Sequence, residues 1–403
     1  MNRKRVLIVT GVFYPEPIVS ANLLTDLATE LSKRYEVTVL RPKPTRPAGF
    51  KQISYDNNQF PFKVIEINSY TCAESSFIGR FHESYSHGKV CAKYIEEHHA
   101  EINFIYNDSW HLFGLYTVSK AAVKYGIPYI TPVQDIYPES LMSKLPEVNL
   151  LRRLVMTVLG PMDRYTLRHA TKVHTISNKM VEHLSATRGL PTEKFVVVRN
   201  WQDEKAFVDY KNTANVLKEG LFTFMYLGNL GPLAGVDTLF EAFEMAGLSD
   251  AKLVIAGSGS VKEYLQKKAK EYSCNIEFWD VPSGKVPETQ GKADVMLLPV
   301  KKGFAMSSIP SKLPAYMFSA KPIIASVDLE SDTAKCIVDG QAGWVVEPEN
   351  VTAIAKAMVT AKNASSPSLA EMGLNGFNFA INNLSKEINL QKLVAACSEV
   401  IDG

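Results

Sequence analysis

Short apolar runs, each closed by a polar or glycine-containing turn, recur along this chain, and the stretches between them carry apolar positions at helical spacing. In the first half the runs are Arg5–Thr10, Glu36–Leu40, Val64–Ile67, Phe104–Tyr106, Tyr129–Val133, Lys172–Ile176 and Phe195–Val198. In the second they are Phe222–Leu227, Lys252–Ala256, Asn275–Trp279, Val295–Leu298, Ile323–Ala325 and Trp344–Val346. Continuous apolar runs of this length read as strands covered on both faces, as in parallel sheets. The first intervening helix has apolar positions at Leu23, Leu24, Leu27, Ala28 and Leu31, with Ser20 or Asn22 as its cap. Leu150–Leu159 is apolar over half a helical wheel, with Arg152 and Arg153 on the other half, and Gly160-Pro161 breaks it. Strand and helix alternate throughout, so the pattern predicts doubly wound α/β domains. A polar stretch from Gln202 to Glu219 holds no strand and separates two of them: residues 1–205, residues 206–380, and a last helix within 381–403 that packs on either one.

In open α/β sheets ligands bind outside the carboxyl ends of the strands, which directs attention to the loops there. In the first half these loops carry Tyr14, Glu16 and Ser20, then Asn107–His111, then Gln134–Ser140. In the second half they are Gly228–Gly235, the turn Gly257-Ser258-Gly259, and Leu298–Ser326 with Lys301, Lys302 and Lys312. Loop N–H groups beside a lysine make an anion site. Each glycine loop is by itself equally a tight turn, and neither has the spacing of a dinucleotide or Walker-type phosphate loop.

Over 403 residues the net charge is only +2, but residues 1–200 hold 25 Lys/Arg against 18 Asp/Glu, and residues 201–403 hold 19 against 24. A basic first half suits an anionic partner such as a membrane surface, a phosphorylated lipid or nucleic acid. The five cysteines have no zinc-type spacing, and nothing resembles a metal-binding DxD loop. No stretch is apolar enough to span a membrane and no signal segment opens the chain, so a cytoplasmic location is expected.

Eight segments occur together in a characteristic order: F-Y-P-E-P at the start, Q-D-I-Y-P-E-S at Gln134–Ser140, H-T-I-S-N-K-M at His174–Met180, V-V-V-R-N-W at Val196–Trp201, Y-L-G-N-L-G at Tyr226–Gly231, L-V-I-A-G-S-G at Leu253–Gly259, A-D-V-M-L-L-P at Ala293–Pro299, and Leu298–Ser326. In this the chain resembles the retaining, nucleotide-sugar-dependent glycosyltransferases of family 4. It is most similar to the branch that builds bacterial capsule, O-antigen and colanic-acid-type repeat units. The resemblance implies the GT-B fold, two Rossmann-like domains facing across a cleft that closes to expel water. It also implies a UDP-linked hexosyl or N-acetylhexosaminyl donor, a saccharide acceptor on undecaprenyl diphosphate at the inner face of the cytoplasmic membrane, no metal or other cofactor, and no nucleic acid partner.

On the residues, the resemblance implies that Gly228, Asn229, Leu230, Gly257, Ser258, Val281, Ser307, Ser308, Ile309, Ser311, Lys312 and Leu313 hold the nucleotide diphosphate, with the base near Trp279–Pro282. Asp135 would orient the acceptor hydroxyl or accept its proton, and Tyr14, Glu16, Ser20, Asn22, Asp108, His111 and Glu139 would line the acceptor side. The chain also departs from the family. Ser307 and Ala315 stand where relatives carry two glutamates, and Asn229 and Ala234 stand where relatives carry Arg and Lys, which leaves Lys312, with Lys301 or Lys302 behind it, as the cation for the diphosphate. A catalytically silent nucleotide-sugar-binding subunit and a UDP-sugar 2-epimerase-like enzyme are the alternatives at this point.

Overall fold

The structure is a computed structural model. It describes all residues except 1–2, 47–58, 73–75, 111, 143–148, 202, 214–219, 233, 283 and 304–308, and gives the backbone alone for residues 77, 142, 149, 151, 152 and 154. The chain divides into two compact units, Met1–Arg199 with Leu390–Gly403, and Asn200–Asn389.

The first unit is built on seven parallel strands, β1 (Arg5–Thr10), β2 (Glu36–Arg41), β3 (Lys63–Glu66), β4 (Phe104–Asp108), β5 (Tyr129–Val133), β6 (Lys172–Thr175) and β7 (Phe195–Val197), in the order β3-β2-β1-β4-β5-β6-β7. The second has six, β8 (Phe222–Leu227), β9 (Ala251–Ala256), β10 (Ile276–Trp279), β11 (Val295–Pro299), β12 (Ile323–Ser326) and β13 (Gly343–Val346), in the order β10-β9-β8-β11-β12-β13. Burial follows this order. Central strands such as β5 and β11 are buried at every position, whereas the edge strands β10 and β13 are half-buried throughout. Helices covering both faces of a parallel sheet leave only its edges near water, so the continuous apolar runs are those the topology requires. In both sheets the order reverses at the first strand, between β1 and β4 and between β8 and β11, and each reversal opens a crevice at the strand ends.

Two local expectations fail for tertiary reasons. The helix Asn149–His169 runs through Gly160-Pro161 as one element. Leu159 on one side of the proline packs with Leu112 and Leu141, and Leu167 on the other enters the main core, so burial on both sides outweighs one lost helical hydrogen bond. The helix Val19–Ser32 starts ahead of Ser20 and Asn22, with Ile18 as its N-cap and no side-chain cap, so neither residue caps it. The polar stretch after Gln202 contains a helix, Lys205–Thr213, whose buried Phe207 packs on Phe318 in the second unit. The last helix, Lys386–Asp402, is tied to the first unit at its end: Lys4 Nζ donates to the Ile401 carbonyl (2.7 Å) and the Tyr35 hydroxyl to Asp402 (2.9 Å).

Candidate functional site

In the second unit the loops after β8 and β9 are joined along their backbones. Gly228 N donates to the Ala256 carbonyl (3.0 Å), Leu230 N to that of Ser258 (2.8 Å), and Gly257 N to that of Trp279 (3.0 Å). This zipper demands glycine at position 257, where φ is +124° and a Cβ would collide with the Gly228 carbonyl. Across Gly228 lies the aliphatic stem of Lys312, so close that a Cβ at 228 would strike it, and its Nζ stands 5.7 Å from the centre of the Tyr226 ring. Lys312 makes no ion pair among the described residues, and burial lowers its pKa. Its helix, Lys312–Phe318, is fastened to the end of β8 by the Tyr316 hydroxyl, which accepts from Leu227 N (2.9 Å) and donates to the Leu227 carbonyl (2.8 Å). A lone ammonium is thus set over a bare stretch of backbone at the β8/β11 reversal, an arrangement suited to a diphosphate.

Of the other residues expected there, Asn229, Ser258 and Ser311 are exposed at the same strand ends. Leu230 and Leu313 are fully buried in the core, so they can offer a ligand only backbone. Val281 and Ile309 pack on the rim of that core. Ser307 and Ser308 lie outside the described residues. Ala315 is in the core, and Lys302 sits in a pocket with Asp328, Glu330 and Glu347, where acids already surround its charge. Trp279 is neither plain core nor a free platform: it is half-buried, and its Nε1 donates to Glu277 (2.8 Å).

In the first unit a pocket of about 220 Å³ opens at the β1/β4 reversal, lined among others by Gly11, Ser20, Arg46, Asp108, Trp110, Gln134 and Asp135. Asp108 closes β4 opposite Thr10 of β1, and Asp135 follows β5. The structure therefore brings Asp135, Asp108 and Ser20 together as expected, but in unlike settings. Asp135 is exposed. Asp108 is half-buried, and loss of hydration pushes its pKa up to about 8. Ser20 reaches Gln134 Oε1 at 3.5 Å.

The remaining expectations on this side are corrected by the packing. Glu16 is buried, and its carboxylate accepts from Thr45 N (2.9 Å) and Arg46 N (2.8 Å), so it braces a loop instead of meeting a ligand. Burial raises its pKa against the opposing N–H groups of Thr45 and Phe13. Glu139 is bound to the buried Arg188 (2.5 and 2.7 Å), which also holds Asp163 (2.8 Å). Burial alone would raise the pKa of Glu139, but Arg188 brings it below the ordinary value, while Asp163 is pushed by burial up to about 6. Tyr14 is exposed against Phe60, and Asn22 is exposed on its helix. His111 lies outside the described residues.

Arg46 and Trp110 were not legible as site residues. The Arg46 guanidinium lies 3.7 Å from the centre of the Trp110 ring and donates to the buried Glu83 (2.6 Å). The indole also lies against Gly11, where a Cβ would meet it at 2.5 Å. Behind this loop, Ser84 Oγ donates to the Trp110 carbonyl (3.3 Å), and His87 bridges Ser109 Oγ (2.9 Å) and the Thr10 carbonyl (3.0 Å). Burial lowers the pKa of His87 to about 4, so it braces the loop as a neutral ring.

Two doubly wound sheets with polar and glycine loops at their strand ends fit the two-domain glycosyltransferases, and comparison with known proteins agrees. A model described as Glycosyltransferase Family 4 matches residues 20–205, and one described as Glycosyl transferases group 1 matches residues 222–363. The chain belongs to these family 4 glycosyltransferases. It is 24% identical over 289 residues to a protein named as a glycosyltransferase, WbjE of Pseudomonas aeruginosa, covering 68% of each. It is 26% identical over 204 residues to WcaI of Escherichia coli K12, named as a colanic acid biosynthesis glycosyl transferase, covering about half of each (48% and 49%). Among solved structures it shares the fold of HepE of Anabaena in complex with UDP (TM-score 0.69, 15% identity, 98% and 100% of the two chains). It shares it likewise with WaaG, a glycosyltransferase of lipopolysaccharide biosynthesis (TM-score 0.66, 15% identity, 99% and 100%). The fold is accordingly the GT-B type, with two parallel α/β sheets.

Proposed function

We propose that this chain is a retaining, metal-independent transferase that moves a hexosyl or N-acetylhexosaminyl group from a UDP donor to a saccharide acceptor carried on undecaprenyl diphosphate, in the synthesis of a bacterial surface polysaccharide. The observation that carries this reading is Lys312, which makes no ion pair among the described residues and whose stem lies across Gly228 at the strand-order reversal of the second unit. As the bond to the sugar breaks, negative charge grows on the leaving diphosphate, and a preset cation with loop N–H groups stabilises it there. In the first unit Asp135, exposed in the pocket, orients the acceptor hydroxyl. The names of WbjE and WcaI support the polysaccharide pathway, and the UDP complex of HepE supports the base.

For the lipid-linked acceptor, the support is the helix Asn149–His169, on which Leu150, Arg153 and Val158 are exposed. Such a face suits an anionic membrane surface, giving a peripheral enzyme on the inner face of the cytoplasmic membrane. Among the described residues no helix is long and apolar enough to cross a membrane.

A thermal-shift comparison of UDP, GDP and ADP, followed by a UDP-sugar panel read by mass spectrometry against lipid-linked acceptors, tests the reading. UDP alone should stabilise, Lys312→Ala should weaken that stabilisation, and Asp135→Asn should lower turnover with the fold intact. Near-wild-type transfer by both variants overturns the assignment of these residues. A silent donor-binding subunit is favoured by one observation, Ser307 and Ala315 in place of the family's glutamates. Stabilisation by UDP without transfer to any acceptor would establish that reading instead.

A further inference from the structure

We infer that the groove between the helices Phe77–His98 and Phe113–Lys124 binds anionic phospholipid headgroups and so docks the first unit on a membrane; this rests on the peripheral-membrane reading above and gives it a defined site. The groove has a volume of about 930 Å³, lies wholly in the first unit, and shares no lining residue with the pocket at the β1/β4 reversal. Lys89 and Lys93 stand one turn apart on the first helix, and Lys120 and Lys124 one turn apart on the second, so two pairs of ammonium groups border it. One acid, Glu96, lines the groove with them, and it is already held by Lys124 Nζ (3.1 Å) and the Tyr125 hydroxyl (2.9 Å). Lys89 and Lys120 are exposed and make no ion pair among the described residues, while Lys93 reaches only the exposed Glu97, at 3.7 Å. The groove thus carries a surplus of positive charge that an anion would complete.

Between the lysines the lining is apolar and aromatic. Tyr116 meets Tyr165 edge to face, with ring centres 5.3 Å apart, and Val90, Val123 and Tyr125 continue that surface. Lys120 Nζ lies 5.6 Å from the centre of the Tyr116 ring and Lys124 Nζ 4.8 Å from that of Tyr125. An anionic phospholipid matches both features, its phosphate meeting the ammonium groups and its glycerol ester lying against the rings. The surroundings select a membrane lipid over a soluble anion. Tyr165 belongs to the helix Asn149–His169, whose exposed residues include Leu150, Val158, Arg164 and Arg168. On the first helix Ile78, which is 80% exposed, and Tyr85 continue the line of Lys89 and Lys93 at helical spacing. Exposed aliphatic, tyrosine and basic side chains on three neighbouring helices compose a surface suited to the headgroup layer.

The scaffold fixes the groove before any lipid arrives. A Cβ on Gly88 would come within 2.8 Å of the Gly114 Cα, so the two helices touch backbone to backbone there, and the Lys124–Glu96 pair joins them further along. The lysines therefore project from a rigid pair of helices. Their attraction to an anionic surface is electrostatic and falls with added salt. Each lysine near such a surface strengthens binding about fivefold.

The test is co-sedimentation of the full chain with vesicles of phosphatidylcholine alone or with roughly a third phosphatidylglycerol. Wild type should bind the anionic vesicles, leave the neutral ones, and come off in about 1 M salt. Lys89→Gln with Lys120→Gln should weaken binding about 25-fold. Lys33→Gln with Lys205→Gln removes the same charge from exposed positions outside the groove and should weaken it by no more than about threefold. All four lysines are exposed, so both double variants should melt with the wild type. An equal loss for the two pairs, or none for either, overturns the groove as the site and leaves the peripheral reading intact. Wild type that binds no vesicle overturns both, and binding of polyglutamate in place of vesicles assigns the groove to an acidic protein and overturns the inference. A second measurement reads the place directly. Val123→Trp puts an indole at the exposed edge of the groove, and phosphatidylglycerol brominated on its acyl chains should quench it beyond the wild-type signal. No added quenching in vesicle-bound protein refutes the inference.

Discussion

The two units share a topology but hold their strand ends by opposite means. In the first, charged and titratable groups are buried behind the loops: Arg188 with Glu139 and Asp163, Arg46 with Glu83, and the neutral rings of His87 and His174. In the second, the described loops close by backbone contact at Gly228 and Gly257 above two apolar clusters, and Asp332 is the charged side chain buried among the described residues. Electrostatic bracing makes the first unit sensitive to pH and to loss of a partner. Steric closure makes the second sensitive to added atoms. In the proposed reading the second arrangement suits a diphosphate, which is held by bare backbone and a cation.

The contrast breaks hardest at Arg188. Replacing it with alanine leaves Glu139 and Asp163 without their cation, and urea unfolding should show a loss of about 3–5 kcal/mol. A loss below about 1 kcal/mol would mean that water compensates the pair. Next comes pH. The folded pKa of Asp108 is raised, so between its unfolded value near 3.8 and its folded value of about 8 the folded state binds the extra proton, and stability falls as pH rises through that window. Asp108→Asn should therefore gain on the wild type as pH rises through that window, by about 1–2 kcal/mol in all for a half-buried carboxyl. A stability difference independent of pH would show the carboxyl to be well hydrated.

In the second unit Gly257→Ala should cost about 2 kcal/mol, since alanine must take a glycine-only backbone angle and push the Gly228 carbonyl away. Hydrogen exchange should rise in the loops after β8 and β9, and a uniform rise over the chain would count against the zipper. The smallest effect is that of Tyr316→Phe, about 1 kcal/mol, for the hydroxyl that joins the Lys312 helix to Leu227. UDP stabilisation should fall with it, and an unchanged UDP response would show that Lys312 keeps its place by packing alone.

How legible each part was depends on whether its cause is local. All thirteen strands were readable, because a strand buried on both faces needs an unbroken apolar run whatever lies around it. Gly257 and Lys312 were readable for a similar reason: a glycine turn after a strand and a lysine opening a helix are local chemistry. Glu16 and Glu139 had the right chemistry at the right strand ends, yet Thr45, Arg46 and Arg188 claim them from elsewhere in the chain. Pro161 misled in the same way, since its helix survives on contacts made by Leu159 and Leu167.

The sequence by itself determined two parallel α/β sheets and the family, because those follow from apolar run length, turn residues and motif order. Only the tertiary structure decided which acids face a pocket and in what state. It stacked Arg46 on Trp110, left Asp135 exposed and half-buried Asp108 at the end of β4. Proton affinity is set by desolvation and by charges that arrive from distant positions, and no local pattern of residues encodes either.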